Sequence, residues 1–258
     1  MIFETHAHYD DESFDEDRDV LLARLPQENI ETVINVGATF AGAKASLELA
    51  HQYPYIYAAV GVHPSEIADL SEGTLEELQQ MARDRKTVAI GEIGLDYYWD
   101  KEADVQEAQR MWFRRQLELA RQVQLPVIIH SRDAAEDTFS MMKEAAGWGM
   151  EGVIHCYSYS AEMAREYVKL GYYIGVGGVV TFKNARKLKE TVDQIPLEQI
   201  LLETDSPYMT PEPFRGMRND STYIPYVIET IAKIKGITQD EVMVTTRENA
   251  RRLFSRVK

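Results

Sequence analysis

The stretch VAIGEIGLD, residues 88–96, joins a short apolar run to two acidic residues, Glu92 and Asp96. Similar apolar runs recur along the whole chain, and most of them lead into His, Glu or Asp. Eight such runs lie at residues 1–3, 32–36, 56–60, 88–90, 127–129, 153–154, 172–176 and 200–202. Their side chains are apolar in succession rather than in alternation, which is typical of parallel strands buried on both faces.

The segments between these runs carry helical patterns. Thr74 and Glu77 stand at the spacing of a capping box and predict the start of a helix. Residues 103–124 form a long amphipathic pattern, and Thr238 with Glu241 predicts a second capping box at the start of the last helix. Helices therefore alternate with the apolar runs from one end of the chain to the other.

Eight strands that alternate with helices in 258 residues predict an α/β protein, a single-domain (β/α)8 TIM barrel over residues 1–258. A doubly wound open sheet is the competing architecture. That fold normally has fewer strands and opens with a glycine-rich turn, which this sequence lacks after its first strand. The barrel is therefore the expected fold.

The composition is that of an acidic globular protein. With 28 Lys and Arg against 42 Asp and Glu, the formal net charge is −14, and such a surface repels polyanions at long range. A broad nucleic-acid-binding surface is therefore not expected. The single cysteine, Cys156, excludes an intrachain disulfide. No apolar run approaches the roughly 18 residues of a membrane span, and no signal-peptide pattern opens the chain, so we expect a cytoplasmic protein without membrane contact.

Residues of metal-ligating type follow most of the predicted strands. In a (β/α)8 barrel these positions face one mouth, where active sites lie. Each residue alone has a plain structural interpretation, as a satisfied polar group or a helix cap, but their recurrence at one position of the repeat predicts a metal centre. The residues are His6, His8, His63, Glu92, His130, His155 and Asp205.

The residue types suit two ions. His6 and His8 are spaced i, i+2, so both point to the same side of an extended strand and reach one ion. Glu92 can give one oxygen to each of two ions, and His130 and His155, from adjacent strands, can complete the second. Asp205 can bind the first ion and also hold or deprotonate a water whose pKa the metal has lowered.

Together these motifs resemble the TatD family of metal-dependent deoxyribonucleases, which are amidohydrolase-like TIM barrels. The resemblance extends along essentially the whole chain. It rests on His6-Ala7-His8, Gly61-Val62-His63-Pro64, Gly91-Glu92-Ile93-Gly94-Leu95-Asp96-Tyr97, His130-Ser131-Arg132, His155-Cys156, Glu203-Thr204-Asp205-Ser206-Pro207-Tyr208, Arg215-Gly216-Met217-Arg218-Asn219 and Asn249-Ala250.

The resemblance implies a binuclear centre of two divalent ions, with Mg²⁺, Mn²⁺ and Zn²⁺ all open. One ion would be held by His6, His8, Glu92 and Asp205, and the other by Glu92, His130 and His155. It also implies hydrolysis of DNA phosphodiester bonds, and some members are described as 3′-to-5′ exonucleases on single strands. The catalytic roles fall on Asp205, Glu92 and His63, and the substrate phosphate would be contacted by His63 and Arg132. DNA is the expected partner, through a short phosphate contact, and no obligate protein partner is evident.

Three departures from the family pattern surround the predicted site without replacing a ligand. Glu4 stands where Asp is usual, Tyr159 where Gly is usual and Asp220 where Pro is usual. We expect Glu4 to orient a ligand rather than to bind a metal. Tyr159 and Asp220 put the shape and charge of the nearby substrate loops in question.

Other residues near the predicted mouth have a structural and a functional interpretation. Tyr97, Tyr98 and Trp99 either pack over the mouth or form a platform for stacking bases. Cys156 is expected to point away from His155 across its strand, as a buried thiol. Four cations are expected around the mouth: Arg132, Arg215, Arg218 and Lys183.

Two other functions remain open from the sequence. A barrel with these metals can instead cleave a small ester, amide or lactone, because the fold does not determine the substrate. The acidic surface is compatible with that alternative. A binding or scaffold protein can also retain metals for stability alone, although Asp205, placed to hold a water, argues for an enzyme.

Overall fold

The computed structural model describes all 258 residues and contains one sheet of eight strands in the order β1 to β8. Every neighbouring pair is parallel. The strands are β1 (Ile2–Ala7), β2 (Ile30–Val36), β3 (Ile56–Val60), β4 (Thr87–Asp96), β5 (Val127–Arg132), β6 (Gly152–Ile154), β7 (Tyr173–Val176) and β8 (Ile200–Leu202).

Nine α-helices accompany the strands. They are α1 (Arg18–Arg24), α2 (Phe40–Gln52), α3 (Glu72–Met81), α4 (Ala103–Val123), α5 (Ala135–Ala146), α6 (Ala161–Lys169), α7 (Arg186–Gln194), α8 (Ile224–Lys235) and α9 (Gln239–Leu253). None of them is both long and apolar enough to span a membrane.

Backbone contacts beyond β8 bring the sheet back to β1. Ala7 pairs with Ser206 in an isolated parallel bridge. The N–H of His8 donates to the carbonyl of Ser206 at 2.8 Å, and the N–H of Asp205 donates to the carbonyl of His6 at 3.0 Å. The eight strands therefore form a nearly closed barrel, which confirms the predicted (β/α)8 fold.

Alternate strand residues pack on opposite faces of the barrel wall, which explains the continuous apolar runs. In β5, Ile128 belongs to an apolar cluster that takes residues from all eight strands, whereas Ile129 belongs to a larger cluster that joins the wall to the helices. The inner cluster includes Phe254, whose ring centroid lies 6.1 Å from that of Phe3. Arg256 donates to the carbonyl of Thr87 at 2.9 Å. Since Phe3 and Thr87 lie near strand starts, the C-terminal segment covers the barrel end opposite the strand ends that carry the predicted ligands.

The main differences from the predicted elements lie at their ends. The apolar run at residues 88–90 continues as β4 to Asp96, because Gly94 and Asp96 still pair with His130 and Arg132 of β5. The capping box predicted for Thr74 is wrong, since the side chain of Ser71 is the cap of α3 and Thr74 lies inside the helix. The capping box of Thr238 and Glu241 is confirmed.

Candidate metal centre

One group of predicted ligands meets where β1, β4 and β8 end. Nε2 of His6 lies 3.1 Å from Nε2 of His8 and 3.4 Å from Oε2 of Glu92. Oδ1 of Asp205 lies 3.4 Å from Nε2 of His8 and 3.9 Å from Nε2 of His6. The structure thus brings the four residues of the first predicted ligand set together, each with a ligand-type atom within 3.4 Å of another member.

The second carboxylate oxygen of Glu92 faces the other imidazoles. Its Oε1 lies 2.8 Å from Nδ1 of His130 and 3.8 Å from Nε2 of His155. Nε2 of His155 also lies 3.5 Å from Oδ1 of Asp205. Glu92 therefore stands between two sets of imidazoles and offers one oxygen to each.

Hydrogen bonds outside these groups orient three of the four rings. Nδ1 of His8 bonds the carbonyl of Val36 at 2.7 Å. Nδ1 of His155 bonds Oε2 of Glu203 at 2.9 Å, and Nε2 of His130 bonds Oδ2 of Asp96 at 3.0 Å. In each ring the nitrogen that faces the centre is the other one, so it can bind a cation once its proton is lost.

His6 is held differently from the other three imidazoles. Its Nδ1 is buried with no hydrogen-bond partner. Its ring stacks on that of His155, with centroids 3.4 Å apart and planes at 12°. His6 is therefore oriented by packing against His155 and by the contacts of its Nε2, with no bond at Nδ1.

The charge balance of the site fits divalent cations. Burial lowers the pKa of His6 to about 4. For His8 and His130 the effect of burial is outweighed by the facing carboxylates, which raise both pKa values to about 9. Burial opposes ionisation of Glu92 and Asp205, but the surrounding imidazoles hold both pKa values well below the usual carboxyl range. Two buried, ionised carboxylates require positive charge close by, which the protonated imidazoles supply here and which divalent cations can supply in their place.

Gly94 lets β4 approach β5 closely enough to form this site. Its φ is +149°, and a Cβ at this position would overlap the carbonyl oxygen of His130. Because Gly94 pairs directly with His130, the absence of a side chain sets the spacing between the strands that carry Glu92 and His130.

The predicted phosphate contact His63 lies beside the second group. Its ring centroid is 4.2 Å from that of His130, and its ligand-type atoms group with those of Glu92 and His130. Nδ1 of His63 accepts from the N–H of Ser65 at 3.2 Å, so the proton of the neutral ring lies on Nε2. Burial lowers the pKa of His63 to about 4, which favours this neutral form.

Arg132 ends β5 with its guanidinium stacked 3.9 Å from the ring centroid of Tyr98 and without an ion pair. Arg218, also expected among the cations around the mouth, forms an ion pair. Arg218 donates two bonds of 2.7 Å to the carboxylate of Asp17 and is committed to that contact.

Cys156 does not point away from His155 as expected. Its Sγ groups with the ligand-type atoms of His155 and Asp205. Strand β6 ends at Ile154, and Cys156 has a φ of +44°, so the alternation of an extended strand does not apply there. Burial raises the pKa of the thiol well above its usual range.

The three residues that depart from the family pattern, Glu4, Tyr159 and Asp220, each form hydrogen bonds within the protein. Oε1 of Glu4 accepts from the N–H groups of His6 and Thr204 at 3.1 and 2.9 Å, so Glu4 joins β1 to the segment after β8. The hydroxyl of Tyr159 bonds Ser131 at 2.9 Å. The carboxylate of Asp220 caps the turn before α8 by accepting from the N–H of Thr222.

Two functional residues were assigned no role from the sequence. Glu203 and Asp96 orient His155 and His130, as described above. The available signal was that each is an acid at or beside a strand end, within the motif of a predicted ligand. Their partners lie 48 and 34 residues away in the chain, so the pairing itself has no local signature.

The chain is similar in sequence and structure to known metal-dependent hydrolases. The family model described as "TatD related DNase" matches residues 3–255. The chain is 44% identical over 254 residues to the uncharacterized metal-dependent hydrolase YabD of Bacillus subtilis, covering 98% of this chain and 99% of YabD. It is 34% identical over 257 residues to the uncharacterized metal-dependent hydrolase YcfH of Escherichia coli K12, covering 98% and 96%. The crystal structure of YjjV, a TatD homologue from Escherichia coli K12, matches with a TM-score of 0.91 at 33% identity over 98% of both chains.

Proposed function

The chain belongs to the TatD family of metal-dependent hydrolases, and on that premise we propose that it is a deoxyribonuclease that hydrolyses DNA phosphodiester bonds at a binuclear centre. The observation that carries the proposal is the position of Glu92. One of its oxygens faces His6 and the other faces His130. Paired sites of this kind suit displacement at phosphorus, where an attacking and a leaving oxygen both need charge stabilisation.

The ligand sets follow from these contacts. One divalent cation would be held by His6, His8, Glu92 and Asp205, and a second by Glu92, His130 and His155. When bound, the ions supply Lewis-acid activation of water and polarisation of the phosphoryl group. Four imidazoles favour Zn²⁺ or Mn²⁺, whereas the carboxylates and a phosphate substrate also admit Mg²⁺.

Asp205 is the group that orients the attacking water. Its side chain is 17% exposed against 5% for Glu92, so it is the more accessible of the two carboxylates. Its lowered pKa keeps it ionised at neutral pH. An ionised carboxylate at this position accepts a hydrogen bond from the water and takes up its proton.

His63 and Arg132 contact the phosphate in this proposal. Nε2 of His63 carries the proton of the neutral ring and donates to a phosphoryl oxygen or to the leaving oxygen. The guanidinium of Arg132 has no carboxylate partner, so its N–H groups are free to donate to a phosphate. Because so few cations are involved and the net charge is −14, DNA binding is expected to be weak, with a shallow dependence on salt.

A cleavage assay on end-labelled single-stranded DNA tests the proposal. The metal-stripped protein is assayed with added Mg²⁺, Mn²⁺ or Zn²⁺, beside His130→Ala and the control His51→Ala. His51 lies at the end of α2 and pairs with Asp84, so its loss should leave activity intact. We expect metal-dependent laddering from one end in the wild type and the control, and none in His130→Ala. A metal-loaded wild type that cleaves no DNA would overturn the proposal and favour a small ester, amide or lactone substrate.

A further inference from the structure

The three aromatic residues after β4 divide into two kinds. Tyr97 is partly buried, and its hydroxyl donates to Asp137 at 2.7 Å and accepts from Arg110 at 2.9 Å. Tyr98 and Trp99 are 42% and 64% exposed. Tyr97 therefore packs against the helices, whereas two neighbouring aromatic rings remain open to solvent.

Arg132 lies against both exposed rings. Its guanidinium is 3.9 Å from the ring centroid of Tyr98 and 5.5 Å from that of Trp99. The two rings meet edge to face, with centroids 4.8 Å apart. In a chain with 42 acidic residues this arginine forms no ion pair, so it presents a flat cation with unused donors. We call Tyr98, Trp99 and Arg132 the rim platform.

The rim platform is tied to the metal centre through Asp96. Oδ1 of Asp96 accepts from the N–H groups of Tyr98 and Trp99 at 3.0 and 3.1 Å. Its Oδ2 bonds Nε2 of His130 at 3.0 Å. Arg132 also follows His130 by two residues in β5 and so points to the same side of the strand. The carboxylate of Asp96 thus connects the candidate ligand His130 directly to the backbone of Tyr98 and Trp99.

We propose that the rim platform binds the nucleotide next to the scissile phosphodiester, with Trp99 stacking on its base and with Arg132, held against the ring of Tyr98, donating to its phosphate. This inference rests on the proposed nuclease function and adds a base-binding subsite to the same site. Stacking tolerates any base, because every base has a π face. Bases inside a duplex are already stacked on both faces, so the platform requires a nucleotide whose base has an open face.

Cleavage of two oligodeoxynucleotides tests the platform. One has all its bases, and the other carries abasic nucleotides near both ends. On the first, Trp99→Ala is expected to lower kcat/KM at least about tenfold and Trp99→Phe to restore most of it. On the abasic substrate Trp99→Ala and the wild type should be equal. Equal losses on both substrates, or no loss on either, would overturn the inference.

Arg121→Gln is the matched control for Arg132→Gln. The guanidinium of Arg121 also stacks on a tryptophan, at 5.3 Å from the ring centroid of Trp148. Arg121 lies in the last turn of α4, outside the rim platform. Arg132→Gln should lower kcat/KM on both substrates, since both retain phosphates. Arg121→Gln should match the wild type. Equal activity of Arg132→Gln and Arg121→Gln would contradict the role of Arg132.

Binding in EDTA separates failure of the platform from failure of the proposed function. Trp99 is the exposed one of three tryptophans, since Trp112 and Trp148 are partly buried. An oligothymidylate is expected to quench the wild-type fluorescence, an abasic oligomer to leave it unchanged, and Trp99→Phe to lose the effect. Quenching without cleavage under any metal would overturn the nuclease function alone. Cleavage by the wild type without quenching would overturn the platform alone.

Discussion

Oε2 of Glu203 lies 2.9 Å from Nδ1 of His155, on the side of the ring away from Glu92 and Asp205. Oε1 of the same carboxylate accepts from the N–H of Cys156 at 2.6 Å. Glu203 is 1% exposed, so both bonds are shielded from water. The carboxylate accepts from Nδ1–H and so leaves Nε2 facing the centre, where a cation can replace its proton.

Replacing Glu203 should weaken metal binding without removing a ligand. In Glu203→Gln an amide N–H can face the N–H of His155, and the negative charge that keeps a proton on Nδ1 is lost. We expect metal affinity to fall about 10- to 100-fold, measured by competition with a chromophoric chelator. Glu198→Gln, an exposed change in the turn before β8, is the control. Affinity equal to that of the control would contradict the role of Glu203.

A substitution at Gly175 tests independently whether the position of Glu203 beside His155 matters for metal binding. A Cβ at Gly175 would overlap Oε2 of Glu203, so Gly175→Ala must displace the carboxylate. We expect this variant to show a loss of metal affinity similar to that of Glu203→Gln, although it changes no charge. Unchanged affinity in a folded Gly175→Ala protein would show that the position of Glu203 is not critical.

Metal binding should become tighter as pH rises. In metal-free protein the pKa values of His8 and His130 are raised to about 9, so both imidazoles carry protons at neutral pH. A metal must displace those protons, and this competition weakens as the pH approaches 9. We expect a chelator competition to show increasing affinity between about pH 6 and pH 8, with proton release in calorimetry. Affinity that is constant over this range would show that these rings do not titrate as metal ligands.

Gly94→Ala should destabilise the barrel at the junction of β4 and β5. The new methyl group would overlap the carbonyl oxygen of His130, and the φ of +149° is unfavourable for alanine. We expect a loss of at least about 3 kcal/mol in the free energy of unfolding, measured by denaturant titration. Gly73→Ala, in the first turn of α3, where a Cβ would meet only Oγ of Ser71 at 3.7 Å, should instead stabilise by about 0.5 kcal/mol. Equal stabilities would refute the proposed packing constraint.

The barrel was predictable because its evidence is local and repeated. Each apolar run and the polar residue after it can be read without knowledge of any partner, and the rule that strand ends share one mouth places His6, Glu92 and His130 together. The sequence does not predict features that depend on contacts between residues far apart in the chain. The end of β4 is decided by pairing with β5, 36 residues away in the case of Gly94 and His130. Apolar content alone gave no sign of this extension.

Partners of charged groups were the least predictable part of the site. Arg218 is expected from the sequence to be one of the cations around the mouth, but nothing in the sequence indicates its pairing with Asp17, 201 residues away in the chain. The direction expected for Cys156 is wrong because β6 ends at Ile154 and Cys156 has a positive φ, so strand alternation does not extend to it. The number of acids in the sequence suggests that cations find partners but does not say which ones, so the unpaired state of Arg132 required the structure.

Asp205→Asn should abolish turnover while preserving the fold. Asparagine keeps the shape of the side chain but cannot accept a proton, and it is a poorer metal ligand. We expect the metal-dependent rate to fall about 10³-fold, measured with the single-stranded DNA substrate and with metal content determined in parallel. Asp220→Asn is the matched control in the same loop, since asparagine caps the turn before α8 as well as aspartate does. Retained activity in Asp205→Asn would show that another group orients the water, whereas an equal loss in Asp220→Asn would mean that loop charge, not Asp205, governs the rate.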